Sequence, residues 1–183
     1  MAFVLLILLA FVSLAQVESA SANQSKQMMA ARQNAYLGLM VAMGELQKSA
    51  GPDQRITARA DILTGDTGIS VDAMENPYWM GVWDTTEADW DTLTAEEKMS
   101  RASWMVSGNQ GLEPADEAVQ APNDELETSI EMASSNSEFD VKAVTVPPSL
   151  LSDGSGGVAG RFGYWISGEN SKALVSISDP YAS

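Results

Sequence analysis

The 183 residues include ten Lys/Arg against twenty-five Asp/Glu, a formal net charge of −15, and contain neither histidine nor cysteine. That removes zinc sites built from Cys or His, thiol nucleophiles, Ser-His-Asp triads and every histidine general base. The charge is uneven: residues 1–60 hold five bases and three acids (+2), while residues 61–183 hold five bases and twenty-two acids (−17). A head this acidic repels phosphate, so no nucleic-acid partner is expected. Length alone favours one domain plus an N-terminal appendage, and the lack of cysteine is compatible with either side of a membrane.

The first fifty residues read as one helix. Ala2 to Ala15 is almost purely apolar (AFVLLILLAFVSLA), polar residues enter from Gln16, and no proline interrupts before Gly51-Pro52. A helix of that span is roughly 70 Å long, too long for a chain of this size to bury. One end therefore belongs in a membrane or a partner. Within it, residues 1–22 form an apolar membrane or stem segment and residues 23–50 an amphipathic continuation. Ala35, Leu39, Ala42 and Leu46 mark one apolar stripe with Tyr36, Met40 and Met43 beside it, and core packing is expected over 35–46. Gly38 and Gly44 mark close helix packing or gentle bends.

The apolar run has a second reading. Fourteen residues is short of the ~20 that cross a bilayer and suits a signal-peptide core, and Ala20-Ser21-Ala22 has the A-x-A form of a cleavage site. No Lys or Arg precedes the run, which departs from the usual basic region of such signals. The strong helix formers after Ala22 argue against a simple removable signal.

The head follows. A short helix is expected over Ile56–Leu63, then turns (TGDTG), then strands at Tyr78–Trp83 and Ala102–Ser107. Between those strands, Thr94-Ala95-Glu96-Glu97 has the form of a capping box that starts a short helix. Residues 51–107 thus form the first part of an α+β head. Residues 108–138 are rich in Asp and Glu, without Lys, Arg or aromatics, and are expected as a mobile, solvated loop. Residues 139–183 supply the C-terminal strands: Phe139–Val146, ended by Pro147-Pro148, and a hairpin of Arg161–Ser167 with Ser171–Ser178 about Gly168-Glu169-Asn170. Ser152–Gly157 (SDGSGG) reads as a flexible link. Four or five antiparallel strands packed on the helix would bury the aromatics.

Few residues suggest chemistry. Asp84, Glu87, Asp89 and Asp91 offer oxygen ligands to a hard cation, but their spacing lacks a calcium-loop pattern and a solvated acidic turn is expected instead. Trp79, Trp83, Trp90, Trp104 and Trp165 are expected in the head core rather than on a ligand surface. Carboxylate pairs such as Asp61 and Asp66 have no spacing that selects them. Gly154, Gly156 and Gly157 lack the helix that a phosphate loop requires. No catalytic residue, cofactor or metal is assigned, and an enzyme is not expected; a hydrolase using carboxylates is the remotest reading.

An apolar helix running unbroken into an amphipathic half that rests on a small β-rich head resembles type IV pilins and pseudopilins. The run from Asn34 to Lys48 leads into Gly51-Pro52-Asp53-Gln54-Arg55 and Thr57-Ala58-Arg59-Ala60-Asp61-Ile62-Leu63, which is similar to the start of pilin-like proteins of the verrucomicrobial type. Trp104–Asn109 and Gly160–Ser167 with Lys172-Ala173 look like further segments of that group. The opening Met1-Ala2-Phe3-Val4-Leu5 lacks the basic leader of pilin precursors, and the first carboxylate is Glu18; a start codon further upstream would account for the absent basic residues and the short apolar run.

The resemblance implies an α+β fold with a long N-terminal helix, apolar then amphipathic, packed on a small antiparallel sheet. It implies a non-enzymatic, pilin-like or minor-pseudopilin-like envelope protein held in the inner membrane, with its head in the periplasm or on the cell surface. Its partners would be the membrane and other pilin-like subunits. Phe3, Val4, Leu5, Leu6, Ile7, Leu8, Leu9, Phe11 and Val12 would make the membrane and assembly contacts, and Lys26 and Arg32 would pair with acids of adjacent subunits. The alternative is a secreted soluble binding domain with residues 1–22 as a cleaved signal peptide.

Overall fold

The computed structural model describes residues 2–51, 55–65, 74–85, 90–114, 116–138 and 141–168. Its fold is α+β: one long N-terminal helix packed on small antiparallel sheets, the layout the resemblance implies for the fold. Helix α1 runs unbroken from Ala2 to Ala50, 49 residues or about 73 Å. Gly51 follows it, as the breaker pair requires.

Among the described residues, seven strands make three sheets rather than one. β1 (Arg55–Arg59), β2 (Met80–Asp84) and β3 (Ala102–Trp104) form an antiparallel sheet in that order. β4 (Ile130–Ala133) pairs with β5 (Val144–Val146), and β6 (Ser149–Ser152) with β7 (Val158–Phe162). The sheets are stitched together by Ser107 N–H donating to Tyr164 O at 3.0 Å and Ile166 N–H to Met105 O at 3.2 Å. The core between them gathers Trp79, Trp83, Trp104, Met74, Met99, Val106 and Val146, all buried, with Trp90 and Trp165 packed against it. Trp83 meets Trp90 and Trp104 edge to face at 5.9 and 5.3 Å. Trp79, Trp83 and Trp104 are core, as expected, while Trp90 and Trp165 are half-buried against it.

Helix α2 (Ala95–Ser100) begins where the capping box places it. The Thr94 backbone N–H and hydroxyl each donate to Glu97 Oε2 at 2.8 Å, and Glu97 N–H donates back to Thr94 Oγ1 at 3.3 Å. Those bonds hold the Glu97 carboxyl below its ordinary value of 4.5, the backbone N–H of Thr94 contributing most. A carboxyl lowered on folding stabilises the fold above its unfolded pKa, and this contribution is lost as pH falls through the folded value. Thr94→Ala keeps that backbone bond but removes the hydroxyl that caps the helix and donates to Glu97, and loss of the cap is expected to cost about 1 kcal/mol near neutrality. Urea unfolding at pH 7 and pH 3 checks it: the difference between variant and parent should shrink in acid.

Four expectations need correction. Ile56–Leu63 is not a helix: Arg55–Arg59 pairs along β2, Ile56 facing Trp83 and Ala58 facing Gly81, and a 3₁₀ turn follows at Ala60–Gly65. Residues 108–138 are not a free loop. Asn109 and Gln120 exchange two hydrogen bonds of 2.9 Å, Asn76 N–H donates to Pro122 O at 2.7 Å, and the stretch ends in β4. Ser152–Gly157 is a hairpin turn rather than a link: Asp153 Oδ1 accepts from Ser155 N–H at 2.8 Å and Gly157 N–H at 3.0 Å. Within Phe139–Val146 only Val144–Val146 pairs as a strand, although Pro147 does end it; Phe139 and Asp140 lie outside the described residues. The proposed partner strand Ser171–Ser178 also lies outside them.

Candidate functional site

The feature with the clearest functional content is α1 itself. From Ala2 through Gln33 every residue is exposed, and the first partly covered position is Asn34. About 48 Å of helix therefore projects beyond the head. Phe3, Val4, Leu5, Leu6, Ile7, Leu8, Leu9, Phe11 and Val12 all lie on this projecting part, between 43% and 74% exposed. None of the described residues of the head covers them. By length and composition α1 is able to cross a membrane, a test that a signal sequence near the N-terminus also passes. A contiguous apolar surface of this size in water needs a lipid or protein cover.

The remaining third of α1 docks on the head through a face that shares Ala42 with the apolar stripe but otherwise uses small and polar positions beside it. Gly38, Ala42 and Ser49 are the buried helix positions, with Asn34, Val41 and Glu45 partly covered. They recur at intervals of three, four and seven and make one side of the helix. Ala42 packs on Phe162 and Tyr164, and Val41, Leu151 and Ile166 flank them. Leu39, Tyr36, Met40 and Met43, expected in the core, are instead about half exposed or more. Small side chains let the β6–β7 hairpin approach the helix closely, which the larger residues one position away would prevent. The Gly-x₃-Ala-x₆-Ser spacing carried that signal.

Gly38 is a point of close approach. A Cβ there would lie 3.1 Å from Phe162 Cδ2 and 3.5 Å from its Cβ. Gly38→Ala gains helix propensity of up to about 1 kcal/mol, which offsets a contact only slightly too tight. Gly38→Leu has no room to place its extra atoms and is expected to loosen docking by about 1–3 kcal/mol. Hydrogen exchange at Phe162 and Tyr164 checks this: faster in the Leu variant, unchanged in the Ala variant.

Polar contacts fix the end of the docked segment. Arg55 Nη1 donates to Ser49 O at 2.8 Å, Gly111 N–H donates to Glu45 Oε1 at 3.1 Å, and Lys48 Nζ pairs with Glu113 Oε1 at 2.8 Å. The bond to Glu113 raises the Lys48 pKa; both side chains are largely exposed, so screening leaves the pair a minor contributor. Tyr164 lies against this junction, and burial, aided by the Glu45 charge, pushes its phenol up. A neutral phenol suits a packing role.

The remaining candidate chemistry does not assemble. Of the acidic cluster, Asp84 sits 3.9 Å from Arg55, residues 86–89 lie outside the described residues, and the side chain of Asp91 is not described. Among the described residues no three acids converge in a way that could hold a metal. Asp61 pairs with Arg59, and Asp66 lies outside the described residues. An open cleft of about 630 Å³ lies beside β1, with Arg59, Tyr78, Lys142 and Trp165 on its walls. Its polar groups are engaged: Trp165 Nε1 donates to Tyr78 O at 3.1 Å, Lys142 Nζ to Met74 O at 2.8 Å, and the Arg59 guanidinium lies over Tyr78 at 5.3 Å. No family model, no curated protein and no solved structure matches the chain.

Proposed function

We propose that this chain is a non-enzymatic, pilin-like or minor-pseudopilin-like envelope protein that assembles through α1 and presents an acidic head outside the cytoplasm. The observation that carries the reading is the division of α1. Residues 2–33 are exposed throughout, while its last third is held to the described part of the head by close packing and hydrogen bonds. Such a helix couples a rigid head to an apolar stem. The mechanism is physical rather than chemical: stems bundle in or from a membrane, removing apolar surface from water at about 25 cal/mol per Å². The acidity of the head opposes non-specific association between heads, so contact is confined to the stems.

The mature N-terminus and intact mass of the native protein, taken separately from membrane and soluble fractions, test this. Under the proposal the membrane fraction holds a chain in which the apolar segment remains joined to the head. A chain starting at Asn23 and found only in the soluble fraction would leave a secreted acidic binding domain and sink the assembly mechanism.

A further inference from the structure

The sheet β1–β2–β3 ends at β1, and among the described residues that edge has no neighbouring strand. The pairing fixes which backbone groups it offers. Ala60 N–H donates to Trp79 O at 2.9 Å, continuing the register in which Ile56 faces Trp83 and Ala58 faces Gly81. Hydrogen-bonded pairs alternate along an antiparallel ladder, so Ile56 and Ala58 turn their N–H and C=O groups toward β2. Arg55, Thr57 and Arg59 turn theirs to the open edge. The cleft of about 630 Å³ runs along it, with Thr57, Ala58 and Arg59 on one wall and Ala133, Val141 and Val144 on the other. Ala58 packs on the margin of the main core, while Ile56, on the same face, is 56% exposed. A strand laid here would bond the edge, close that side of the core and cover Ile56.

The chain itself leads into this cleft. Gly168, where the described residues end, lies on the cleft wall, and a Cβ added to it would sit 3.3 Å from Met80 Cε. Met80 faces Arg59 across the sheet, so a strand entering from Gly168 starts at the Arg59 end and runs antiparallel to β1. Residues 174–178 (LVSIS) place β-branched Val175 and Ile177 on one side and serines on the other, the pattern of a half-buried edge strand. Six steps from Gly168 to Leu174 reach up to about 20 Å, enough to pass two strands spaced about 4.8 Å apart.

Charge and proline select the register. With Ser176 opposite Thr57, Val175 faces Ala58, Ile177 faces Ile56, and Lys172 falls beyond Arg59 on the Asp61 side. Sliding by two residues one way sets Lys172 directly against Arg59, an unfavourable like-charge pair. Sliding by two the other way puts Pro180, which has no N–H, at the bonding position beside Arg55. A slip of one residue turns Val175 and Ile177 to the wrong face.

We infer that residues 174–178 dock in this cleft as an added antiparallel strand on β1, Ser176 opposite Thr57, and close the sheet edge of their own head. A segment tethered this near is present at millimolar effective concentration, which favours it over an outside peptide. Its docking also denies other chains an open strand edge, which is a template for pairing.

The chain has no cysteine, so an introduced pair reports this contact without background. Positions 56 and 177 form a non-hydrogen-bonded pair in this register, with Cα atoms about 4.5 Å apart, within reach of a disulfide. The full-length chain carrying Ile56→Cys and Ile177→Cys is oxidised mildly and read by intact mass and non-reducing electrophoresis. An intramolecular disulfide is expected, about tenfold more abundant than from Ile56→Cys with Val175→Cys or with Ser176→Cys, which place the second thiol off register or on the other face. Hydrogen exchange reads the same contact without a new bond. Val175→Asp should speed exchange at the Thr57 amide about tenfold and leave the Ala58 amide, bonded within the sheet, unchanged. Strongest linkage through either comparison position overturns the register. Linkage only between two chains gives the cleft to a second copy and overturns closure within one chain. No linkage, with a Thr57 amide as fast in the parent as in Val175→Asp, leaves the cleft to another partner and overturns the docking.

Discussion

Replacing Leu5 and Leu8 together with Asp is expected to release the chain from the membrane. Both leucines lie on the uncovered part of α1, 67% and 55% exposed, so the substitutions break no contact within the chain. Whatever they change must come from the surroundings of the stem. An Asp near the centre of a membrane helix costs about 2.5–3.5 kcal/mol, and the leucine it replaces contributes about 0.5 kcal/mol of its own. Two such changes amount to roughly 6–8 kcal/mol, more than four decades in partition. The measurement is the share of full-length protein in washed membranes, with the urea midpoint of the head as control. Head stability should stay within about 0.5 kcal/mol of the parent. Accumulation of uncleaved precursor inside the cell, with none exported, would instead mark the segment as a signal peptide. Unchanged membrane retention would show that the apolar segment is not the anchor.

What the sequence disclosed and what it concealed divide along a physical line. Local rules were legible. The extent of α1 followed from the absence of a breaker before Gly51-Pro52, and the start of α2 from the Thr94–Glu97 capping box, since both depend on neighbours in sequence. Pairing across the chain was not. The run from Ile56 to Leu63 contains good helix formers at helical spacing, yet Arg55–Arg59 lies along β2 because partners nearly thirty residues away hold it there. Propensity yields to such pairing routinely. The acidic stretch looked too poor in apolar residues to order, but it is held by Asn109–Gln120 and by Pro122 against Asn76, which composition does not reveal.

Large apolar residues at helical spacing normally point to the core, which predicts Leu39, Met40 and Met43 there. Of that stripe the head takes Ala42, joined by Gly38 and Ser49, while the larger residues face outward. In a protein that folds alone this arrangement exposes the wrong side. In one whose stem meets other helices, small residues bring the head's hairpin close and large ones remain for the neighbours.

Trp79→Ala is expected to unfold the head. Trp79 has no exposed surface; it packs in the main cluster, and its indole N–H donates to Thr145 O at 2.8 Å. Its backbone also belongs to the framework, accepting from Ala60 N–H at 2.9 Å. Truncation of a buried tryptophan costs about 3–5 kcal/mol. The stranded Thr145 carbonyl adds a share of the roughly 1–3 kcal/mol that a buried unpaired acceptor costs. A small domain is stable by about 5–15 kcal/mol, so the loss consumes much of what is present. Trp79→Phe separates the two contributions, because it keeps an aromatic ring while removing the donor. A loss of about 1–3 kcal/mol is expected for it. Denaturant unfolding followed by near-ultraviolet circular dichroism gives both values. A second readout distinguishes core from ligand surface: the Trp79→Ala chain should remain in the membrane fraction while its head becomes protease-sensitive, because the stem does not depend on the head for its apolar contacts. If the head instead kept its unfolding midpoint within 0.5 kcal/mol of the parent, the tryptophan would not be a structural residue and a binding role for it would have to be reopened.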